Sequence, residues 1–405
     1  MMADSPLPET NGRTMDDGIK EIIKAATDHD IQLLEKCIDQ YSFPECKAVD
    51  VQDPATGFTP LHATVASSNL QPDGDSGGNQ HGEESGVQVV KFLLENGAIW
   101  NQLDKNDETP GCIAYRLGLH ELYQVMVDAG VRAEMILNRL EEYQELEDED
   151  EDGGGGGDGD SHEVSGGDPP QATADVQQPS TEQGDVTSSR YLSSALTLGD
   201  GRLLDAESNG VMMSWERGIM QQSVDALLTR PGLKILNIGF GMGIFDTQIQ
   251  GHANRPASHH IIEAHPDVIN EMRSKGWMER PDVVVHSGKW QNILPQLAVE
   301  GETFDAIYFD TFAEPYSAFR DFFSEHVISL LTQDGRWSFF NGMGADRQIS
   351  YDVYQKVVEF DLFEAGFDVT WTDVPLPDLD QEWEGIRRKY WKVDKYRLPV
   401  CKFLD

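Results

Sequence analysis

From Lys234 onward, short apolar runs recur, each ended by a turn residue. They are "KILNIGF", "HHIIEAH" (His259 to His265), "DVVVHSG" (Asp282 to Gly288), "FDAIYFD" (Phe304 to Asp310) and "GRWSFFN" (Gly335 to Asn341). Runs of this length predict strands buried on both faces. A helix is predicted after the first run, and another over "SYDVYQKVVEFDLFEAG" (Ser350 to Gly366). "FDVTWTDVPL" and "YRLPVCKFL" predict a closing hairpin. Such alternation predicts an α/β domain with a mostly parallel sheet.

The first third has another rhythm. "VVKFLLENGA" (Val89 to Ala98) is echoed by "LYQVMVDAGV" (Leu122 to Val131), placing Gly97 and Gly130 33 residues apart (130 − 97 = 33). "GFTPLHATVA" resembles "DETPGCIAYR" with Thr59 and Thr109 50 apart, so a 17-residue excess (50 − 33 = 17) is expected in the polar stretch from Ser67 to Ser85. Thr59-Pro60 predicts a capped helix start, because Pro is tolerated in the first turn. Gly97 and Gly130 predict left-handed stops of the second helices. Leu93, Leu94, Met126 and Val127 are expected to face neighbouring repeats. A 33-residue period with T-P-L-H resembles the ankyrin repeat. Asp16 to Gln40 reads as an N-terminal helical pair capping that stack.

Between the two regions, residues 141–188 are expected to form a disordered acidic linker. The run from Glu141 through "EDEDGGGGGDGD" to Ser189 holds 16 acids and no Lys or Arg. It has too little apolar surface to offset ordering entropy. The predicted domains are therefore 1–140, ankyrin repeats, and 189–405, the α/β domain.

Charge narrows the partners. With 31 basic and 71 acidic residues the formal charge is −40, which argues against nucleic acid or an anionic membrane and fits a basic protein. The four cysteines show no C-x-x-C spacing, so no metal site or disulfide framework is expected and a reducing cytosol or nucleus fits. The opening "MMADSPLPET" does not read as a secretory signal.

The candidate chemistry begins at "NIGFGMG". Gly239, Gly241 and Gly243 stand where the first strand becomes a helix, and glycines there let a ligand touch the backbone. The helix N-terminus offers unpaired N–H groups to an anion. Glu263 closes the next strand 20 residues after Gly243 (263 − 243 = 20), placed to accept hydrogen bonds from ribose hydroxyls. The ligand is thus a nucleoside with an anionic end, either NAD or S-adenosylmethionine. The triplet is G-x-G-x-G rather than G-x-G-x-x-G, with Ile at 244. That and the closing hairpin favour S-adenosylmethionine.

Together "NIGFGMG", "IIEAHPDV", "HSGKWQNILP", "YFDTFAEPY" and "VMMSWERGIM" resemble the guanidinoacetate methyltransferase family. The preceding repeats match its fungal branch, which acts on protein arginine. The resemblance implies a class I S-adenosylmethionine-dependent (Rossmann-like) methyltransferase domain. It implies cofactor contacts from Tyr191 and Met220 in an N-terminal lid, and from Gly239, Phe240, Gly241, Met242, Gly243, Ile244 and Phe245 in the turn. Further contacts are implied from Glu263, Ala264 and His265, and from Gly288, Lys289, Trp290 and Asp310. Met212 and Trp215 are candidates to pack beside the lid residues.

A guanidinium is a poor nucleophile, with a pKa of about 12.5 or more, and needs carboxylates to grip it in a planar way. Asp310, at the end of the fourth predicted strand, is by the resemblance the guanidino ligand and base, and Glu216 by the same resemblance the second carboxylate; Glu314 is a weaker candidate for a substrate contact. The resemblance implies monomethylation of the δ nitrogen of arginine in a large-subunit ribosomal protein recognised through the repeats. A monomer, cytoplasmic and nuclear, without a metal is expected. A small guanidino compound as substrate, or an adaptor with an inactive methyltransferase fold, are the alternatives.

Overall fold

A computed structural model describes residues 15–41, 47–69, 78–151 and 187–404. The chain divides into two compact units, Met1–Gly184 and Asp185–Asp405.

The first unit is helical, with α1 (Met15–Thr27), α2 (Ile31–Tyr41), α3 (Pro60–Ser67), α4 (Gly78–Glu95), α5 (Pro110–Leu117) and α6 (His120–Glu151). They pack as three pairs, α1 with α2, α3 with α4 and α5 with α6, and α3 touches both α1 and α5. The Thr-Pro starts form as expected. The Thr59 hydroxyl accepts from the His62 N–H, and His62 Nδ1 accepts from the Thr59 N–H at 3.1 Å. His62 Nε2 therefore carries the proton and donates to the Glu108 carbonyl at 3.1 Å, joining α3 to the segment before α5. Burial lowers the His62 pKa and keeps the ring neutral. Leu93, Met126 and Val127 are buried and Leu94 is half-buried.

Two expectations change here. Gly97 has the left-handed φ of 81°, but Gly130 lies inside α6 and stops nothing. A single glycine costs a helix about 1 kcal/mol, and the helix-forming "RAEMILNRLEEY" beyond it outweighs that. Residues 141–151, given to the linker, continue α6, since Glu, Gln and Leu sustain a helix until the glycine run. The rest of that linker, 152–186, lies outside the described residues, as do residues 70–77 of the expected insertion, whose end opens α4.

The second unit starts with α7 (Ser188–Ser193) and an antiparallel sheet of β1 (Thr197–Gly199), β2 (Arg202–Leu204) and β3 (Gly210–Met213). Then come α8 (Arg217–Leu227), β4 (Lys234–Ile238), α9 (Ile244–Gly251), β5 (Ser258–Glu263), α10 (Pro266–Ser274), β6 (Val283–Ser287), α11 (Trp290–Val299) and β7 (Phe304–Phe309). α12 (Tyr316–Asp321) passes through a π-helical stretch (Phe322–Val327) into α13 (Ile328–Leu330) and β8 (Leu331–Phe339). α14 (Gln348–Glu364), β9 (Phe367–Pro375) and β10 (Lys395–Phe403) complete the unit.

Seven strands form one sheet in the order β6-β5-β4-β7-β8-β10-β9. β4 to β8 run parallel, and β10 is antiparallel to both β8 and β9. Alternate residues feed cores on the two faces. Leu236, Ile238, Ile307 and Phe309 pack with Trp337 and Phe322 on one side. Ile235, Ala306 and Tyr308 pack with Met220 and Phe245 on the other. This is why the strands read as unbroken apolar runs. The chain order reverses at β4, which pairs with both β5 and β7, so a crevice opens beyond their carboxyl ends. The expected hairpin forms, but residues 376–394 between β9 and β10 make a long connection that packs with Met213 and Ile219 at the start of the unit.

Candidate active site

The glycine turn occupies the reversal point. Gly239, Gly241 and Gly243 have φ of 94°, 54° and 70°, which side chains disfavour. A Cβ on Gly239 would lie 1.9 Å from the Asp310 carbonyl oxygen, because the ends of β4 and β7 meet there. Gly243 caps α9 without any side-chain hydrogen bond, so the first amides of that helix are available to an anionic group. Glu263 reaches under the turn. Its Oε2 accepts from the N–H of Phe240 at 2.9 Å and of Gly241 at 3.4 Å, and its Oε1 from the N–H of His265 at 2.7 Å. Oε1, with a single donor, keeps acceptor capacity for a hydroxyl. Bare turn, acceptor carboxylate and open helix end together fit a nucleoside with an anionic tail.

Several neighbours expected at the cofactor play other parts. Phe240 turns its ring onto Trp277 at 5.2 Å and Phe245 stacks on Tyr308 at 3.9 Å, so these two and buried Ile244 offer the site backbone only. Met242 and Ala264 are half-buried beside the turn, and the Met242 N–H points at Met212 Sδ, 3.2 Å away. Met220 is fully buried in the core. Trp290 turns its side chain into the core. Its ring packs on Phe309, Phe322 and His326, and its indole N–H donates to Glu314, because the first turn of α11 faces the core. Gly288 has a positive φ of 148°, a conformation that favours glycine, and donates its N–H to the Glu263 carbonyl at 2.8 Å, while Lys289 is exposed at the start of α11.

His265 is a clamp. Its Nδ1 accepts from the Asp267 N–H at 3.1 Å, so Nε2–H donates to the carbonyls of Tyr191 and Ser194, each 3.1 Å away. Tyr191 is thereby held over the crevice between His265 and Phe312. Burial, then the charges of Glu263 and Asp310, pushes its phenol pKa far up, so the hydroxyl stays protonated.

The two candidate catalytic carboxylates come together across the crevice. Asp310 ends β7, with its N–H bound to the Ile238 carbonyl at 2.8 Å. Its carboxylate is half-buried and has no hydrogen bond or ion pair among the described residues. Burial, then the charge of Asp246, raises its pKa to about 7. Glu216 is 3% exposed. Burial, then the charge of Asp310, raises its pKa to about 8, against hydrogen bonds from Tyr390 and the Met213 N–H. Glu314, by contrast, is occupied: Trp290, Gln291 and Thr311 all donate to it, so it braces the loop beyond Asp310 rather than facing a substrate.

Sequence reading missed two parts. Asp246, fully buried, accepts from the Asn237 amide at 2.9 Å and contacts His259 Nε2 at 3.0 Å, while the same amide donates to the Gly239 carbonyl at 2.8 Å. This trio braces the turn. Its signal was present in the "N" of "KILNI", a polar residue in an apolar run. Tyr390, the other, carries no local signal.

The raised carboxylates set a pH dependence. Their folded pKa values exceed the unfolded ones, so they stabilise the ligand-free fold at low pH and lose that contribution as pH rises through about 7 to 8. The melting temperature of the ligand-free protein should therefore fall between pH 5 and 9 by more than that of Glu216→Gln. Parallel curves for the two proteins would contradict the assignment.

The sheet order with a glycine turn at its reversal point defines a Rossmann-like methyltransferase domain, and a family model described as guanidinoacetate N-methyltransferase matches residues 195–370. The likeness extends over the whole chain. Protein arginine N-methyltransferase 2 of Aspergillus oryzae is 55% identical over 403 residues, covering 96% of this chain and 97% of its own. Its counterpart in Aspergillus fumigatus is 52% identical, covering 97% and 98%, and that of Neurospora crassa 44%, covering 95% and 96%. The chain belongs to this fungal protein arginine N-methyltransferase 2 family. Among solved structures, spermidine synthase from Thermotoga maritima aligns with a TM-score of 0.37 at 14% identity, over 52% of this chain and 73% of that one.

Proposed function

We propose that the protein transfers a methyl group from S-adenosylmethionine to the δ nitrogen of one arginine in a basic protein, a large-subunit ribosomal protein by the resemblance noted above. The observation that carries this reading is the pair Asp310 and Glu216: two carboxylates within each other's field, one without any partner among the described residues, in a crevice beside the glycine turn. A pair of carboxylates of this kind suits a guanidinium, a monocation that offers donors along two edges.

When bound, S-adenosylmethionine supplies an electrophilic methyl on a positively charged sulfur. Glu263 and the turn amides hold its nucleoside and anionic end. Asp310 and Glu216 orient the guanidinium, a step worth several kcal/mol when geometry is fixed beforehand. The nitrogen that gains the methyl sheds one proton, and Asp310, poised near neutrality, accepts it. Tyr191 and the β1–β3 sheet limit water.

We read the three helix pairs of the first unit as ankyrin repeats that bind the protein substrate. The acidic balance of the chain favours a basic partner over nucleic acid or membrane. A metal-free monomer in cytoplasm and nucleus completes the proposal. Among the described residues no cluster of metal-binding side chains occurs. Incubation with labelled S-adenosylmethionine and fungal ribosomal proteins, followed by fragmentation of the product, should locate one methyl on an internal arginine nitrogen; label appearing only on added guanidinoacetate would overturn the proposal. Deleting residues 1–140 should spare S-adenosylmethionine affinity and weaken the protein substrate's. An unchanged substrate KM would remove the recognition role.

A further inference from the structure

The guanidinoacetate methyltransferase match stops at residue 370, yet the chain beyond it returns to the crevice. The β9–β10 connection brings the Tyr390 hydroxyl onto Glu216 Oε1, the oxygen that also accepts the Met213 N–H at 2.8 Å. We infer that Tyr390 is a positioning residue of the arginine site, pinning the Glu216 carboxylate in the orientation that meets the guanidinium.

A glutamate's terminal torsion is broad and roughly two-fold, so the carboxylate does not orient itself. Two donors on a single oxygen select one orientation. They leave Oε2, which has no hydrogen-bond partner among the described residues, for a donor from the substrate. The Tyr390 ring is fixed in turn. It stacks on Trp215 at 6.1 Å and meets the edge of Trp383 at 4.8 Å. It also passes over bare backbone at Gly210, where a Cβ would lie 3.0 Å from its Cε1.

The loop carrying this ring is tied at several points. The Arg387 N–H donates to the Ser208 carbonyl at 3.1 Å, and its guanidinium pairs with Glu207 at 2.6 Å. Arg202 donates to the Glu384 carbonyl at 2.7 Å, and the Lys392 N–H to the Ala345 carbonyl at 2.7 Å. The loop thus grips both the β2–β3 turn and the segment after β8. Its anchoring delivers a hydroxyl to a carboxylate 174 residues earlier in the chain. A ring alone would serve packing; the hydroxyl is what the carboxylate uses.

The inference rests on the reading that Glu216 holds the guanidino group. Its test is Tyr390→Phe in the full chain, which keeps the ring and its packing. The probe is a peptide spanning the arginine located by the fragmentation experiment above, with S-adenosylmethionine as donor. The variant should keep its melting temperature and bind S-adenosylmethionine within about twofold of the parent by calorimetry. The peptide KM should rise about tenfold with kcat changed less than about threefold, the size of one lost hydrogen bond to a charged group. The hydroxyl favours the charged form of Glu216, so its removal should also move the acid limb of kcat/KM upward by about one pH unit. A parent-like KM and pH limb would overturn the inference alone. Loss of S-adenosylmethionine affinity and kcat together would show a merely structural role and overturn it too. If the parent binds S-adenosylmethionine but methylates no arginine, the underlying reading fails and takes this inference with it.

Discussion

Asp310→Asn is expected to lower kcat/KM for the arginine substrate about 10³-fold, while S-adenosylmethionine affinity stays within about threefold. The substitution is close to isosteric and leaves the backbone bond from Asp310 to Ile238 in place, so the end of β7 should hold its shape. What disappears is one negative charge and one proton acceptor. The carboxylate has no partner among the described residues, so neutralising it breaks no internal ion pair. The loss then falls on the guanidinium, which keeps its proton and one ungripped edge. A second consequence separates this from general damage. The charge of Asp310 helps to raise the Glu216 pKa, so in Asp310→Asn Glu216 should titrate at lower pH. Retention of kcat/KM within about tenfold would remove Asp310 from the chemistry.

Gly239→Ala is expected to destabilise the protein by about 3–5 kcal/mol and to abolish S-adenosylmethionine binding. Two causes add. The φ of 94° is strained for any residue with a Cβ, and the new methyl would sit 1.9 Å from the Asp310 carbonyl oxygen and 2.9 Å from its carbon. Those atoms are backbone in a paired strand, so no side chain can rotate away. Either β4 and β7 part at their carboxyl ends or the turn moves, and both displace the amides that hold Glu263. Gly232→Ala is the control. Its φ of 79° carries strain, but nothing lies within 4 Å of the added methyl, so a loss of about 1 kcal/mol is expected. Urea midpoints for the two variants and calorimetry with S-adenosylmethionine read the difference. Equal midpoints would mean that the turn is loose.

Much of the site was legible because its rules are local. Three alternating glycines at a strand end imply positive φ, and all three have it. Glu263 sits under the turn because 20 residues carry the chain through one helix and back along the adjacent strand. The Thr59-Pro60 and Thr109-Pro110 starts follow from cap chemistry spanning a few residues. Motif proximity did not tell where the side chains of Trp290 and His265 find their partners. They follow Gly288 and Glu263 closely in sequence, yet one ring fills the core and the other clamps the segment at Tyr191. Adjacency along the chain places a Cα near the site and says nothing of where the side chain finds its partners.

By itself, then, the amino-acid order determined the strand–helix alternation, the glycine turn, the acid beneath it and the capped helices of the first unit. Each is a matter of backbone torsion, periodicity or capping within about 20 residues. Only the tertiary structure decided that Tyr390 meets Glu216 from 174 residues away, that Asn237, Asp246 and His259 brace the turn, and that Gly130 is carried through a helix. Those outcomes depend on which surfaces pack together and which buried polar atoms must find partners there, and no local pattern encodes them.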